Sequence, residues 1–163
     1  MHRIEDYHKL TTYADLLRRV ISNTLPKERP YYGLCHGDTH TGNMHIDESG
    51  KLTLFDFDCC GYGWRAYELA VYKWHQEITK RTETEDNTKQ EQWHNFIQGY
   101  NSIRQLEPCE IDAIDLFVAI RYFWVMGIHA SISAYIGSFF IDDNYYDHYI
   151  NCIEKYIDKC KLC

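Results

Sequence analysis

The sequence predicts an α+β fold that is mostly helical, with a small β unit towards its N-terminal end. Apolar residues recur at helical spacing in residues 7–24 and in most of the chain after residue 66. Three short apolar runs between residues 31 and 57 have the length of strands. The turn sequence Asp-Glu-Ser-Gly at 47–50 separates the last two runs and therefore predicts a β-hairpin.

The predicted elements follow one another in a simple order. They are a helix at 7–24, strands at 31–35, 44–46 and 52–57, and helices at 67–79, at 93–103, from near 111, and at 146–160. The polar residues 82–91 predict a loop. We interpret residues 1–163 as one domain, with a leading helix and loop at 1–30, a catalytic β unit at 31–65 and a helical subdomain at 66–163.

Composition and charge limit the classes of function. The formal net charge is −7, whereas a nucleic-acid surface needs a basic stripe, so we expect no nucleic-acid partner. Arg121 and His129 interrupt the most apolar stretch, residues 116–141, which favours a buried helix pair over a membrane span. The N-terminal residues lack the basic start and apolar run of a secretory signal, so we expect a cytoplasmic protein with free cysteines.

The most informative stretch is His-Gly-Asp-Thr-His-Thr-Gly-Asn at 36–43, followed by Asp-Phe-Asp at 56–58. Phosphoryl transfer from a nucleotide needs a carboxylate that receives or orients the proton of the acceptor hydroxyl. It also needs oxygen ligands that hold Mg²⁺ against the phosphates. Asp38 can be that carboxylate, and Asn43 and Asp56 can supply the oxygens. The His-x-Asp-x-x-x-x-Asn spacing is that of the catalytic loop of protein kinases.

Taken singly, each of these residues also has a structural explanation. A loop Asp commonly forms a turn or a helix cap, Asn43 can be a turn residue, and Asp56 and Asp58 can simply face water. Their occurrence in this order, between predicted strands, favours the shared catalytic explanation. For His40 we prefer structural hydrogen bonds within a polar loop.

In these motifs the sequence resembles the aminoglycoside phosphotransferase and choline kinase-like family, which has a protein kinase-like fold. The resemblance is closest over residues 33–70. Family members often carry Asp-Leu-Ala on the helix after the metal carboxylate, where this chain has Glu-Leu-Ala at 68–70. The resemblance implies an ATP-dependent phosphotransferase that acts on a hydroxyl of a small molecule. It also implies that the chain corresponds to the C-terminal lobe of the kinase-like fold, with the small hairpin carrying the catalytic loop.

Position by position, the resemblance assigns a role to each motif residue. Asp38 is implied to be the catalytic base. Asn43 and Asp56 are implied to bind Mg²⁺ and, through the metal, ATP. Asp58 is implied to be a second acidic residue at the metal site, and His36 to hold the backbone geometry of the loop.

A kinase fold clamps ATP between two lobes. The N-terminal lobe supplies a Gly-rich turn, a strand lysine and a helix glutamate. The residues before His36 contain one predicted helix and a loop, and Gly-x-Gly-x-x-Gly does not occur in the sequence. We therefore expect a C-terminal lobe without its N-terminal lobe, which is a possible missing partner. A fragment, a truncated gene product and a reduced form all stay open.

Two alternative functions also stay open. An inactive kinase-like lobe would keep the motif and only bind a ligand or partner. The other alternative is a metallophosphoesterase, because Gly-Asp-Thr-His at 37–40 is similar to the Gly-Asp-x-His-Gly of binuclear enzymes that activate water with transition metals. Here Thr41 separates His40 from Gly42, and further segments of that class are absent, so we prefer the phosphotransferase.

Overall fold

A computed structural model describes residues 3–79 and 84–161, and it confirms the mostly helical α+β fold. The helices are α1 (Ile4–Thr24), α2 (Arg65–Ile78), α3 (Thr84–Ile103), α4 (Pro108–Ile136) and α5 (Asp143–Lys159). The strands are β1 (Tyr32–Cys35), β2 (Met44–Ile46), β3 (Leu52–Leu54) and β4 (Gly61–Trp64). In the described residues, β1 pairs with β4 and β2 with β3, each in an antiparallel two-stranded sheet.

The predicted hairpin is confirmed by the pairing of β2 with β3, in which Ile46 lies opposite Leu52 beside the turn. The Asp47 carboxylate accepts hydrogen bonds from the backbone N–H groups of Ser49 and Lys51, at 2.9 and 3.0 Å. Together with a stronger contribution from the Ser49 hydroxyl, these bonds lower the pKa of Asp47. The turn is therefore closed locally by one side chain, as is typical of Asp.

The strand β4 is absent from the prediction, and the third predicted strand is too long. Two of the four residues of β4 are glycines, which weaken the sequence signal of a strand. The prediction of a strand at 52–57 is wrong beyond Leu54. Asp56 adopts a left-handed backbone conformation at φ +64°, and Phe57–Cys59 form a 3₁₀ turn. The chain thus turns away from the hairpin at the predicted metal carboxylate.

The predicted loop at 82–91 is wrong for residues 84–91, which form the first turns of α3. Residues 82 and 83 lie outside the described residues. Gln90 and Glu91 in this segment are exposed, so its polar residues face solvent. Glu, Gln and Lys are good helix formers but are polar. A solvated helix made of them has no apolar periodicity, so the spacing of apolar residues predicts a loop there.

The chain divides into two compact units, and the boundary falls within α4. One unit comprises residues 1–26 and 115–163, and in it α1 packs against α5. Its buried side chains include Leu17, Phe117 and Ile153. None of the helices in the described ranges combines the length and apolar character needed to cross a lipid bilayer.

The other unit comprises residues 27–114 and contains both sheets. In it α2 packs against β1 and β4. Leu69, Ala70 and Val71 of α2 are at most 1% exposed. Tyr72 stacks on Phe96 of α3 with ring centroids 4.0 Å apart. Because α2 is held on several sides, its side chains can support the β unit rigidly.

A buried ion pair ties the end of α3 to the start of α4. Glu110 is 1% exposed and accepts hydrogen bonds from both terminal nitrogens of Arg104, one of them at 3.0 Å. The Tyr100 hydroxyl accepts two further bonds from the same guanidinium, at 3.0 and 2.9 Å. The carboxylate of Glu110 raises the pKa of Arg104, which stays charged. Such a pair is costly to break because the remaining charge is left buried.

We predict that Glu110→Gln lowers the free energy of unfolding by about 3 kcal/mol, since it leaves the Arg104 charge without its counter-ion. Urea denaturation followed by circular dichroism measures this loss. Asp15→Asn is the matched control, because the pair of Asp15 with Arg18 is mostly exposed and should contribute less than about 1 kcal/mol. Equal losses in the two variants would contradict the prediction.

Candidate active site

The loop at 36–43 leaves the end of β1 and enters β2 through a 3₁₀ turn over Thr41–Asn43. Cys35, the last residue of β1, is buried, and its thiol lies 3.5 Å from the carbonyl oxygen of Gly63 in β4. Burial raises the pKa of Cys35 to about 11, so the thiol stays neutral at physiological pH. It anchors the loop and does not supply a nucleophile.

The imidazole of His36 joins the loop to the segment that carries Asp56. Its Nε2 donates to the Phe55 carbonyl oxygen at 2.9 Å, and its Nδ1 accepts from the Asp38 backbone N–H at 3.3 Å. These two bonds require the neutral Nε2–H tautomer. The ring also packs on Phe57, with centroids 4.5 Å apart. Both neighbours of Asp56 are therefore fixed to the residue that precedes Gly37 and Asp38.

Gly37 is required by two independent features of the loop. Its φ of +82° lies in the left-handed region, which favours glycine. A Cβ atom at this position would also lie 2.3 Å from the Cys59 carbonyl oxygen. The catalytic loop and the segment after Asp58 thus approach each other backbone to backbone, closer than any side chain allows.

The carboxylate of Glu68 in α2 supports the loop at 36–43 through two hydrogen bonds. Its Oε1 accepts from the Gly37 backbone N–H at 2.8 Å, and its Oε2 accepts from the Thr39 hydroxyl at 2.7 Å. The residue stands where family members often have Asp. In this chain the longer Glu makes two hydrogen bonds to the loop, one to the backbone of Gly37 and one to the side chain of Thr39, and so holds the residues on either side of Asp38.

Asp38 and Asn43 contact each other directly. Asn43 is 6% exposed, and its Nδ2 donates to the backbone oxygen of Asp38 at 3.0 Å and to Asp38 Oδ2 at 3.2 Å. The amide nitrogen is therefore used by Asp38, which turns the amide oxygen Oδ1 away from that carboxylate. An oxygen held in this way is suited to bind a hard cation.

Asp56 lies beside Asn43, because the Phe55 backbone N–H donates to the Asn43 carbonyl oxygen at 3.2 Å. The Asp56 side chain is exposed and does not cap the 3₁₀ turn that it precedes. Asp58, in the first turn of that 3₁₀ element, is exposed as well. Two carboxylates and an amide oxygen are hard ligands, and they fit Mg²⁺ or another hard divalent cation.

A transition-metal centre finds less support in the same loop. Both nitrogens of His36 are used by Phe55 and Asp38, and His40 Nδ1 accepts from the Gly42 N–H at 3.0 Å. Across residues 3–79 and 84–161, no group of three or more His, Cys, Asp and Glu side chains converges as a metal site, and this holds for carboxylates as well as for histidines. The occupied histidine nitrogens, and not this absence, favour oxygen ligands such as the amide of Asn43 over histidine ligands.

Sequence reasoning singled out Asp38, Asn43, Asp56 and Asp58. The structure joins Asp38 to Asn43 by a hydrogen bond, and it ties Phe55, the neighbour of Asp56, to His36 and Asn43. Asp58 is exposed in the 3₁₀ turn that follows Asp56, and no described hydrogen bond links it to the other three. The sequence analysis did not predict the two hydrogen bonds of Glu68 to the loop at 36–43. It also did not predict the other contacts of α2 with this loop. The only available signal was the Glu at a position that is often Asp.

The comparisons define the class of protein. The chain belongs to the phosphotransferase enzyme family, whose sequence profile matches residues 2–106. Amicoumacin kinase from Bacillus subtilis is 31% identical over 126 residues, which cover 76% of this chain and 37% of that protein. The chain spans about a third of the length of the curated relatives that it matches.

Two solved kinases share the fold. An amicoumacin kinase in complex with AMP-PNP, Ca²⁺ and Ami gives a TM-score of 0.73 at 22% identity, covering 94% of this chain and 45% of that chain. A microcompartment-associated aminopropanol kinase gives 0.65 at 23% identity, covering 98% of this chain and 47% of that chain. The predicted kinase-like fold is therefore confirmed.

We predict that Gly37→Ala lowers the free energy of unfolding by about 3 kcal/mol or more, because it adds a backbone clash to the strain of a positive φ. Gly50→Ala is the matched control. Gly50 has the same φ of +82°, and nothing lies within 4 Å of its Cβ position, so only strain of about 1 kcal/mol is expected. The difference between the two variants in urea denaturation isolates the contact with Cys59. Equal losses would show that this contact is unimportant.

Proposed function

We propose that this chain carries the catalytic residues of an ATP-dependent kinase that phosphorylates a hydroxyl group of a small molecule. The observation that carries the proposal is the fixing of Asp38, Asn43 and Asp56 around the His36 imidazole. Phosphoryl transfer depends mainly on positioning and charge neutralisation, and a base held next to metal ligands supplies both.

Asp38 is the proposed base. Its carboxylate is mostly shielded, with 17% of the side chain exposed, and its Oδ2 is oriented by Asn43 Nδ2 and by His40 Nε2 at 3.5 Å. Such orientation fixes where the proton of the acceptor hydroxyl would be taken up as the oxygen attacks the γ-phosphorus. Glu68 bonds both neighbours of Asp38, at the Gly37 backbone N–H and the Thr39 hydroxyl, and so helps to fix the loop that carries the carboxylate.

Asn43 Oδ1 and Asp56 are the proposed Mg²⁺ ligands, and Asp58 supports them with negative charge. A divalent metal held by Asn43 and Asp56 would supply positive charge against the phosphates of ATP. The AMP-PNP and Ca²⁺ in the structure of the amicoumacin kinase support use of a nucleotide and a divalent cation by this fold. The Asp56 carboxylate makes no cap hydrogen bond to the 3₁₀ turn that it precedes, so folding of that turn does not use it.

The acceptor is proposed to be a small molecule with a hydroxyl group. The similar proteins are named as an amicoumacin kinase and an aminopropanol kinase, so both act on small molecules. Aminopropanol is an alcohol, which supports a hydroxyl group as the acceptor. This chain spans about a third of the length of its curated relatives. The proposal therefore extends to the class of acceptor and not to one compound.

In the catalytically active form of the protein, Asp38→Asn should lower kcat by about 100-fold or more, because it keeps the shape and removes the proton acceptor. Affinity for Mg²⁺ and nucleotide should stay nearly unchanged. Asp56→Asn should weaken that affinity as well, since it removes a charged ligand. Coupled ATP-consumption kinetics and calorimetric nucleotide titration separate these effects. Asp15→Asn, exposed on α1, is the control, and near-full turnover in Asp38→Asn would disprove the assignment of the base.

We also predict that Mg²⁺ and Mn²⁺ bind with nucleotide in preference to Zn²⁺, because Asn43 and Asp56 offer hard oxygen atoms. Competition titrations on the purified chain with AMP-PNP present would measure this order. Asn43→Leu should weaken Mg²⁺ binding while leaving any binding of Zn²⁺ to exposed cysteines unchanged. Displacement of Mg²⁺ by tight Zn²⁺ binding at Asp38 and His40 would instead support the phosphoesterase alternative.

A further inference from the structure

A pair of stacked histidines lies beside the proposed base. The rings of His40 in the loop and His75 in α2 are nearly parallel, with an interplanar angle of 15° and centroids 4.9 Å apart. His40 Nε2 lies 3.5 Å from Asp38 Oδ2. His75 Nδ1 lies 3.3 Å from the Thr41 hydroxyl oxygen, in the next turn of the loop. His75 thus contacts the loop on both sides of the peptide bond that joins His40 to Thr41.

The tautomer of His40 follows from its backbone contact. Its Nδ1 accepts a hydrogen bond from the Gly42 N–H at 3.0 Å, so this nitrogen carries a lone pair and Nε2 carries the proton. The contact requires glycine, since a Cβ at residue 42 would lie 2.7 Å from the His40 ring. The remaining Nε2–H lies near Asp38, with Nε2 3.5 Å from Oδ2, which is a close approach rather than a formed hydrogen bond.

The helix α2 holds this arrangement at two places. Glu68 and His75 are seven residues apart, which is two helical turns and therefore the same face. Glu68 contacts the loop at Gly37 and Thr39, and His75 contacts it at His40 and Thr41. Both ends of the segment that surrounds Asp38 are thus fixed by one rigid, well-buried helix.

We propose that His40 is a positioning residue for Asp38 and that His75 sets the orientation of His40. This rests on the proposed function of Asp38 as the base. His40 donates its Nε2–H to Oδ2 and, with Asn43, fixes the plane of the carboxylate. His75 acts through its stacked ring and through Thr41, and does not touch the reacting atoms. The two atoms lie 3.5 Å apart in this structure, and the proposal is that they form the hydrogen bond in the complex with substrate, since hydrogen bonds of catalytic groups are often long without substrate.

The first test uses nuclear magnetic resonance of the imidazole nitrogens in the purified chain at pH 8, and it needs no activity. His40 should show a single Nε2–H tautomer in the native chain and a mixture of tautomers in His75→Leu. His94→Leu, an exposed position on α3, is the matched control and should leave the His40 signals unchanged. Thr41→Val serves as a second variant that removes only the hydroxyl contact. An Nδ1–H tautomer of His40 in the native chain would overturn the proposal. It would also be overturned if His75→Leu and Thr41→Val both gave the same His40 signals as the native chain.

The second test separates positioning from folding by kinetics of the active protein with Mg²⁺ and ATP. His75→Leu should lower kcat about tenfold at an unchanged KM for ATP, because only the orientation of the base is lost. His75→Phe, which keeps a ring to stack on His40, should recover most of the loss. A rise in KM without a change in kcat, or no rescue by His75→Phe, would contradict the role of the stack. Absence of any kinase activity in the native protein would count against the proposed function, while the resonance test still decides the position of His40.

Discussion

The imidazole of His36 is the point at which two distant stretches of the chain meet. One nitrogen accepts from the Asp38 N–H, the other donates to the Phe55 carbonyl, and the ring face packs on Phe57. Each of these contacts uses a different part of the same side chain, so no other residue type could make all three. Because residues 55 and 57 flank Asp56, the position of the proposed metal carboxylate is set by the residue that also fixes the base.

The helix α2 supplies the rigidity that the loop lacks. Its buried Leu69, Ala70 and Val71 hold it in the core of its unit, and its polar Glu68 and His75 contact the loop. A loop whose hydrogen-bonding groups are satisfied by a packed helix can keep its geometry without regular structure of its own. This division explains why the functional residues lie on an irregular segment and yet contact one another closely.

Local patterns predicted much of this site, and contacts between distant residues account for the rest. The turn at 47–50 and the spacing from His36 to Asn43 are local, so the hairpin and the order of Asp38, Asn43 and Asp56 followed from the sequence. Strand β4 was missed because its glycines hide its propensity, and the start of α3 because a solvated helix has no apolar stripe. The residues around His75 give no indication of its role, because that role depends on contact with a loop more than thirty residues earlier in the chain.

The backbone at Asp56 bears on the proposed role of its carboxylate. A non-glycine residue at φ +64° costs about 1 kcal/mol relative to an ordinary conformation, and Asp tolerates it better than most. A residue that stabilised the 3₁₀ turn would recover this cost through a cap hydrogen bond, and Asp56 makes none. Glycine would satisfy the backbone at this position with less strain, so the presence of a carboxylate is not explained by folding. Strain of this kind persists where the surrounding contacts impose it and the side chain serves binding, which supports a ligand role for Asp56.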